Sequence, residues 1–368
     1  MKIELNRKDF LKNWLLVESF TDDGILLKAD EKLTLQSTDL KSSVRCIAEG
    51  VNILEQGEAV IPAAVFGGVL RKAATDELVL EVNSSKGVLK AGRNKTRFAV
   101  SSPDIFPQIP VIENAEEICE ISGTVLSKSI VEGSSAASQP SDFPKYMGSC
   151  DLKVEDNSLT ITSTDGKRLA LSKTPCSMKK EDDILILASS LSKIGKHLTD
   201  NPVKIFADSS VVWFSFESME FSVRRIDANF PKIEKILNSE KQVTLQIPCK
   251  DLLDVIERID IISKTSPAHI FCMNLYPNEN ELRISTRAPE IGTAFEILQA
   301  NVEGEYLEIG FNTKFFIDGL KALGDCDAIV EFSDSFGQIR MKRSNDDSFL
   351  YMLMPIRLTD QDKIIDED

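Results

Sequence analysis

Hydrophobic and polar residues alternate along three stretches of the chain that resemble one another. The stretches are KLTLQSTDLKSSV, SLTITSTDGKRLAL and ELRISTRAPEIGTAF, and their leucines Leu33, Leu159 and Leu282 are 126 and 123 positions apart. Alternation over this length predicts β-strands with one buried face. Repetition at a nearly constant spacing predicts three copies of one structural unit.

A second shared block follows in each copy, as AVIPAAVFGGVLRKA, ILILASSLSKIGKHL and LEIGFNTKFFIDGLKAL. In each block a short apolar strand runs into Pro62, Ala188 or Asn312, and apolar residues then recur at helical spacing. Proline near the first helical position and asparagine as an N-cap are both signals for the start of a helix. We therefore predict a helix at each of these three positions.

Each copy is also predicted to begin with a helix. Phe10, Trp14 and Val17 share one helical face in the first copy, and the third has a similar face from Leu252 to Ile262. The middle copy is a poorer helix former because its segment SKSIVEGSSAAS contains glycine and many serines. The fold class is therefore α+β, with helices and antiparallel sheets in three units, 1–118, 119–241 and 242–368, the last ending in an acidic tail at 359–368.

A proline follows a large apolar residue at a similar place in each copy. The pairs are Phe106-Pro107, Phe230-Pro231 and Met354-Pro355, with a spacing of 124 residues. We expect the three pairs to close equivalent strands.

Composition limits the class of protein and its location. The chain of 368 residues is 42% hydrophobic, enough for a large interior, and no apolar run reaches the ~20 residues of a membrane helix. Its first residues are charged, unlike a signal peptide, so we expect a cytoplasmic protein. The seven cysteines are odd in number and form no C-x-x-C pair, which favours reduced, buried thiols over a disulfide or zinc framework.

The charge is unevenly distributed along the chain. The net charge is −15, which alone argues against a general affinity for nucleic acid. The six predicted helical windows nevertheless carry a net charge of +5 together. The helices are thus the candidate surface for an anionic partner, while strands and loops are strongly acidic.

Few residues offer catalytic chemistry. The two histidines, His197 and His269, lie in different copies and outside any triad or zinc motif, and no phosphate-binding loop occurs. Asp165, beside Lys167 and Arg168, is the sharpest catalytic candidate, but a Thr-Asp-Gly turn is the more ordinary interpretation of this aspartate. No catalytic residue, metal or cofactor is predicted.

The sequence resembles the beta subunit of bacterial DNA polymerase III, the sliding-clamp family. The resemblance is carried by STDGKRLALS, RRIDANFPKIEKIL, GRNKTRFAVSSPDIFPQI, EIGFNTKFFIDGLKAL and the terminal YMLMPIRL, which span all three copies. It implies a head-to-tail homodimer that forms a ring, with helices around the hole and double-stranded DNA inside, bound without sequence specificity. It also implies client proteins: the DNA polymerase III alpha subunit, the clamp loader, other DNA polymerases and repair proteins.

The resemblance implies three groups of site residues. The peptide pocket for clients would contain Met147, Thr164, Gly166, Lys167, Arg168, Leu169, Pro231, Lys235, Ile236, Met352, Leu353, Met354, Pro355, Ile356 and Arg357. The DNA surface would contain Arg71, Lys145, Tyr146, Lys193 and Lys196. The dimer interface would contain Phe98, Val100, Ile261 and Ile262. Arg168 and Arg357 are expected at the polar margin of the pocket.

Three departures from the family pattern stand beside these expectations. Lys167 replaces a common histidine, a loop in the first copy is shortened, and the tail extends beyond Leu358. Two alternatives remain: a monomeric repeat scaffold that binds proteins without encircling DNA, and, more remotely, a hydrolase that uses Asp165.

Overall fold

The computed structural model describes residues 1–21, 23–139, 144–237, 240–289 and 291–359. The first repeat contains β1 (Lys2–Asn6), α1 (Arg7–Glu18), β2 (Gly24–Ala29), β3 (Leu33–Thr38), β4 (Ser42–Ile47), β5 (Val51–Glu55), β6 (Gly57–Pro62), α2 (Ala63–Lys72), β7 (Glu77–Asn83), β8 (Lys86–Ala91) and β9 (Asn94–Ala99).

The second repeat contains β10 (Glu116–Ser122), α3 (Gly123–Gly133), β11 (Ser149–Glu155), β12 (Ser158–Thr164), β13 (Arg168–Pro175), β14 (Ser177–Met178), β15 (Asp182–Leu187), α4 (Ala188–Gly195), β16 (Pro202–Ala207), β17 (Val211–Phe216), β18 (Met219–Arg224) and the short α5 (Glu234–Leu237). The predicted division at 118/119 falls inside β10.

The third repeat contains β19 (Val243–Pro248), α6 (Cys249–Ser263), β20 (Ile270–Tyr276), β21 (Glu281–Ala288), β22 (Gly292–Gln299), β23 (Asn301–Glu303), β24 (Leu307–Asn312), α7 (Thr313–Leu323), β25 (Asp327–Phe332), β26 (Ile339–Arg343) and β27 (Asp346–Leu353). Among the described residues, no helix is both long and apolar enough to cross a membrane.

Helix starts follow the sequence signals. Helices begin directly after Pro62, at Ala188 and directly after Asn312, whose side chain accepts a hydrogen bond from the backbone nitrogen of Phe315 at 3.1 Å. The middle helix begins at Gly123, earlier than its serine-rich segment suggested. A side-chain cap therefore marks only the helix after Asn312, and the helices after Pro62 and at Ala188 begin without one.

The prediction that each repeat begins with a helix is wrong. A strand, β1, β10 or β19, precedes the helix in each repeat and pairs with a strand near the end of the same repeat. These first strands have only five to seven residues. Their partners lie some 70 to 90 residues away in sequence, so local alternation alone gave little signal.

The described residues form four sheets, and two of these continue from one repeat into the next. In one nine-stranded sheet β18 of the second repeat pairs with β4 of the first, and in the other β27 of the third repeat pairs with β13 of the second. The two junctions are built alike. In both, the last strand of one repeat pairs with the third strand, in chain order, that the preceding repeat contributes to the same sheet. Sheet continuity therefore joins the three repeats.

The same pattern leaves one strand without its partner at each end of the chain. Strand β9, which corresponds to β18 and β27, is the edge of a five-stranded sheet. Strand β22, which corresponds to β4 and β13, is the edge of a four-stranded sheet. Each exposes a row of backbone groups that can pair with another strand.

Helices pack closely on one face of the sheets. In the first repeat the rings of Trp14 and Phe66 lie 4.6 Å apart between α1 and α2. A Cβ atom at Gly67 would lie 2.3 Å from a carboxylate oxygen of Glu18. This close approach explains a glycine inside α2, where it otherwise weakens a helix.

The expected equivalence of the three proline pairs is wrong for Met354-Pro355. After the last strand of each repeat, a backbone nitrogen donates to the carbonyl two residues before the N-cap of the second helix. The donors are Ser101, Ile226 and Ile356, and the acceptors are Val60, Leu185 and Gly310. Phe106 and Phe230 follow this anchor, whereas Met354 precedes it, so the shared spacing of 124 does not mark equivalent positions.

Candidate functional site

The turn between β12 and β13 is built by Asp165 and its neighbours. One carboxylate oxygen of Asp165 accepts from the backbone nitrogens of Lys167 and Arg168 at 2.9 and 3.0 Å. Gly166 has a φ of 83°, in the left-handed region that favours glycine. The Thr164 hydroxyl donates to the carbonyl of Arg168 at 2.6 Å. Asp165 is thus a turn residue, as the sequence pattern indicated, and not a catalytic acid.

Arg168 ties this turn to the third repeat. Its guanidinium donates to Asp165 at 2.9 Å, to Asp318 of α7 at 2.6 Å and to the hydroxyl of Tyr351 at 3.3 Å. It also lies 4.3 Å from the ring centre of Phe315. Although burial disfavours the charged form, these oxygens raise the pKa of Arg168 above its ordinary value. Its expected place at a polar margin is therefore wrong, because the side chain is buried between two repeats.

Three exposed apolar side chains lie on segments that meet near this turn. Phe336, Met354 and Ile236 are 72%, 45% and 40% exposed. The backbone nitrogen of Met354 donates to the carbonyl of Lys167 at 2.8 Å, which fixes it next to the turn. The Gln338 side chain donates to the carbonyl of Ile236 at 2.7 Å, which brings α5 to the loop that carries Phe336. These contacts form an apolar surface at the junction of the second and third repeats.

The remaining residues of the predicted peptide pocket surround this surface. Leu169 lies opposite Met352 across the junction, and both are buried. A Cβ atom at Gly166 would meet the Met147 side chain at 3.4 Å, so Met147 covers the turn. Of the others, Thr164 and Leu353 are buried, Pro231, Pro355 and Ile356 are partly exposed, and Lys167 and Arg357 are exposed. The side chain of Lys235 lies outside the described residues.

Phe336 was missed by the sequence reasoning. It lies in the loop SDSFGQ between β25 and β26, which carries no motif. The pairing of Ile339 with Leu353 brings this loop to the segment that carries Met354. An isolated phenylalanine within a polar turn was the single available signal.

The predicted DNA-binding cations differ in how their charge is balanced. Arg71 donates twice to Glu18, at 2.7 and 3.3 Å, and Lys193 donates to Asp39 at 2.7 Å. Lys196 and Lys145 are exposed, and neither forms an ion pair within the described ranges. The ring of Tyr146 lies 6.1 Å from that of Phe230. Lys196, directly after α4, therefore carries a less compensated charge than Lys193 within it.

The predicted dimer residues divide into two groups. Phe98 and Val100 are buried in the core of the first repeat, where the Phe98 ring lies 5.4 Å from Phe66. Ile261 is exposed and Ile262 partly exposed near the end of α6. A groove of about 410 Å³ beside α2, lined by Val65, Val69, Leu89 and Thr96 among others, gives the first repeat an apolar surface of its own.

Among the described residues, the other reactive side chains form no catalytic arrangement. His197 stacks against Phe221 and contacts the Ser19 hydroxyl at 3.3 Å, without a carboxylate partner among the residues described. Within the same ranges, no three His, Cys, Asp or Glu residues are arranged to hold a metal. The seven cysteines form no disulfide, and five of them are buried. Apart from Thr359, the predicted acidic tail lies outside the described residues.

Two family models match consecutive parts of the chain. The DNA polymerase III beta subunit central domain matches residues 120–232, and the C-terminal domain of the same subunit matches residues 234–357. The matched residues together make up more than half of the chain.

Similar proteins agree with these matches. A beta sliding clamp of Staphylococcus epidermidis is 27% identical over 347 residues, 93% of this chain and 90% of that protein. The DNA polymerase sliding clamp of Bacillus subtilis has a TM-score of 0.90 at 24% identity, covering 98% of this chain and 100% of that one. The DNA polymerase III subunit beta of Pseudomonas aeruginosa has a TM-score of 0.90 at 23% identity, with 97% and 100% covered. The chain belongs to the DNA polymerase III beta subunit family, the bacterial sliding clamps.

Proposed function

We propose that this protein is a DNA sliding clamp: a homodimeric ring that encircles double-stranded DNA and tethers polymerases for processive synthesis. Family membership supports the role, and the edge strands β9 and β22, each paired on one side only, carry the ring assignment. It has no catalytic activity of its own, and its place of action is the cytoplasm.

The two free edges support closure by head-to-tail association. The repeats of one chain are joined by pairing of β18 with β4 and of β27 with β13. The corresponding strands at the two ends, β9 and β22, can form the same kind of junction with a second copy, here called a joint. A second copy rotated by a two-fold axis can complete both joints at once, which closes the assembly. The exposed Ile261 beside β22 and the apolar groove beside β9 favour the same contact. The units 1–118, 119–241 and 242–368 would then appear six times in the ring.

Helix charge supports the DNA assignment. Arg71, Lys196 and Lys321 occupy the same position of the second helix in the three repeats, eight residues after its first residue. Contacts from such cations to phosphates bind DNA without regard to sequence and weaken with salt. Lys145, Tyr146 and Lys193 belong to the same proposed surface.

The apolar surface around Met354 is proposed as the client site. Short peptides from the DNA polymerase III alpha subunit, the clamp loader, other DNA polymerases and repair proteins would bury an aromatic or leucine side chain there. Methionine adapts its shape to different apolar partners, which suits one site with several clients.

Sedimentation and particle imaging of the purified protein test the ring. The proposal predicts a dimer of about twice the 40.9 kDa chain mass, seen as a closed ring. Ile261→Asp together with Ile262→Asp should give monomers, because charged side chains would be buried at the joint. A monomeric wild-type protein would favour the repeat-scaffold alternative.

A further inference from the structure

The strand β22 carries large apolar side chains on its outer face, away from helix α6. Phe295 and Ile297 are 47% and 51% exposed. Ala294 and Leu298 point inward and pack against the core of the third repeat. Glu296, on the same inner face, binds Arg258 of α6 at 2.8 Å. An edge strand with an exposed apolar face invites association unless it is covered.

The other free strand, β9, carries cations on its outer face. Phe98 points inward to Phe66, so Lys95 and Arg97, which lie on either side of Thr96 and alternate with Phe98, point outward. Both are exposed, and neither forms an ion pair with any residue that the structure describes. Their long side chains are therefore available to a neighbouring strand.

Equivalent hydrogen bonds align the last strands of the three repeats. Ser101, Ile226 and Ile356 donate to equivalent carbonyls before the second helix. The residues five positions earlier, Thr96, Phe221 and Tyr351, are therefore equivalent. Each lies on the inner face of its strand.

The third strands of the sheets align through the repeated leucines. Four residues after Leu33, Leu159 and Leu282 stand Ser37, Ser163 and Thr286, which pair with Val44, Ala170 and Ala294. Phe221 faces Val44 at the first junction and Tyr351 faces Ala170 at the second. The same register between two copies places Thr96 opposite Ala294, and hence Lys95 opposite Phe295.

We propose, on the basis of the ring assigned above, that the aliphatic stem of Lys95 from one copy covers Phe295 of the second copy and reaches its neighbour Ile297, and that the stem of Arg97 covers the other side of Phe295, on the outside of each joint. Such stems bury apolar surface while their charges stay in water, and a cation over an aromatic face adds attraction. The corresponding positions differ inside the chain. Arg45 meets Glu220 at 3.7 Å in the first junction, and Leu171 faces Leu350 in the second. This chemistry distinguishes the joint between copies from the joints within one.

Oxidative crosslinking tests the register. Lys95→Cys with Phe295→Cys should give a covalent dimer on a denaturing gel, because directly opposed Cβ atoms lie about 5 Å apart. Arg97→Cys with Phe295→Cys is the matched control, two residues out of register, where the distance is about 7–8 Å. Crosslinking that is equal in the two pairs, or stronger in the control, would overturn the register.

Dimer dissociation measured by sedimentation tests the covering itself. Phe295→Ala should raise the dissociation constant by about tenfold or more, since a buried aromatic anchor is lost at both joints. Lys95→Ala should weaken the dimer more than Lys95→Met, which keeps the stem. A dimer unaffected by Phe295→Ala would overturn the covering and leave the ring standing, whereas a monomeric wild-type protein would overturn the ring itself.

Discussion

Arg168 joins two repeats through its buried charge. Its partners Asp165 and Asp318 lie on different repeats, so removal of the guanidinium leaves two carboxylates without their cation. Because Asp318 is partly exposed, we expect Arg168→Met to lower the free energy of unfolding by about 2–4 kcal/mol, below the full cost of a broken buried pair. Urea unfolding measures this. Lys167→Met, at the exposed neighbour, is the control, and equal stability of the two variants would contradict the role of Arg168.

Asp151 should make stability depend on pH. Burial, together with a hydrogen bond that the protonated Asp151 donates to Asp183 and the negative charge of that carboxylate, raises the pKa of the Asp151 carboxyl to about 8. In the unfolded chain this group releases its proton near its ordinary value of 3.8, whereas the folded chain keeps the proton up to about 8. Stability should therefore fall as pH rises between these values and then level off. Asp151→Asn should remove this part of the fall in urea titrations at pH 5, 7 and 9, and an unchanged pH profile would exclude the effect.

The sequence alone predicted the role of residues that hydrogen-bond to backbone groups close to them in the chain. Asp165 in its turn and Asn312 as an N-cap both follow from contacts within three residues. It could not predict Phe336, or the neutralisation of Arg71 by Glu18, because these depend on segments that meet only after folding. Arg168 shows the same limit, since its charge suggested exposure while its partner Asp318 lies 150 residues away.

The second helices should differ in their contribution to DNA binding. Lys196 has no compensating carboxylate in the described structure, whereas Arg71 must leave Glu18 before it can bind phosphate. Lys196→Ala should therefore reduce the slope of log affinity against log salt concentration by the equivalent of about one to two phosphate contacts. Arg71→Ala should reduce this slope by less. Fluorescence anisotropy over a series of salt concentrations measures both slopes. A larger loss in Arg71→Ala would reverse this ranking.

The client site should depend on its exposed apolar residues. Leu169 is buried at a strand junction, so its truncation would open a cavity and confuse binding with stability. Met354→Ala with Phe336→Ala removes exposed surface only. We expect this variant to fold normally and to bind a peptide of the DNA polymerase III alpha subunit about tenfold or more weakly. Calorimetric titration measures the affinity, with Val131→Ala as an exposed apolar control, and unchanged affinity would refute the site.

Elements with strong local patterns were predicted well. The three alternating stretches around Leu33, Leu159 and Leu282 are strands with those leucines buried, and the second helices begin where the pattern changes from strand to helix. The first strands and the place of Met354-Pro355 were not predicted correctly. Both depend on strand pairing between distant parts of a repeat, and the local alternation of apolar and polar residues does not predict such pairing.

At the scale of the whole molecule, the chain consists of three similar repeats, and an edge strand at each end, β9 or β22, has one side free for pairing. The two junctions within the chain share one strand register, and this register gives the expected pairing of β9 with β22 between two copies. A dimer fills both ends, and an acidic chain with cations concentrated on its helices can then hold DNA inside while its outer surface repels it. The sequence indicated the repeats and the distribution of charge. The free edges of β9 and β22 could be identified only from the order of strands in the sheets.

Retention on DNA tests the encircling of DNA most directly. Protein loaded by the clamp loader of the same organism onto closed circular duplex DNA is passed through a sizing column in high salt, before and after a single restriction cut. The ring predicts that the protein stays with the circle in salt that disrupts phosphate contacts and is released once the DNA is linear. Equal loss from circular and linear DNA would contradict a protein that encircles its DNA.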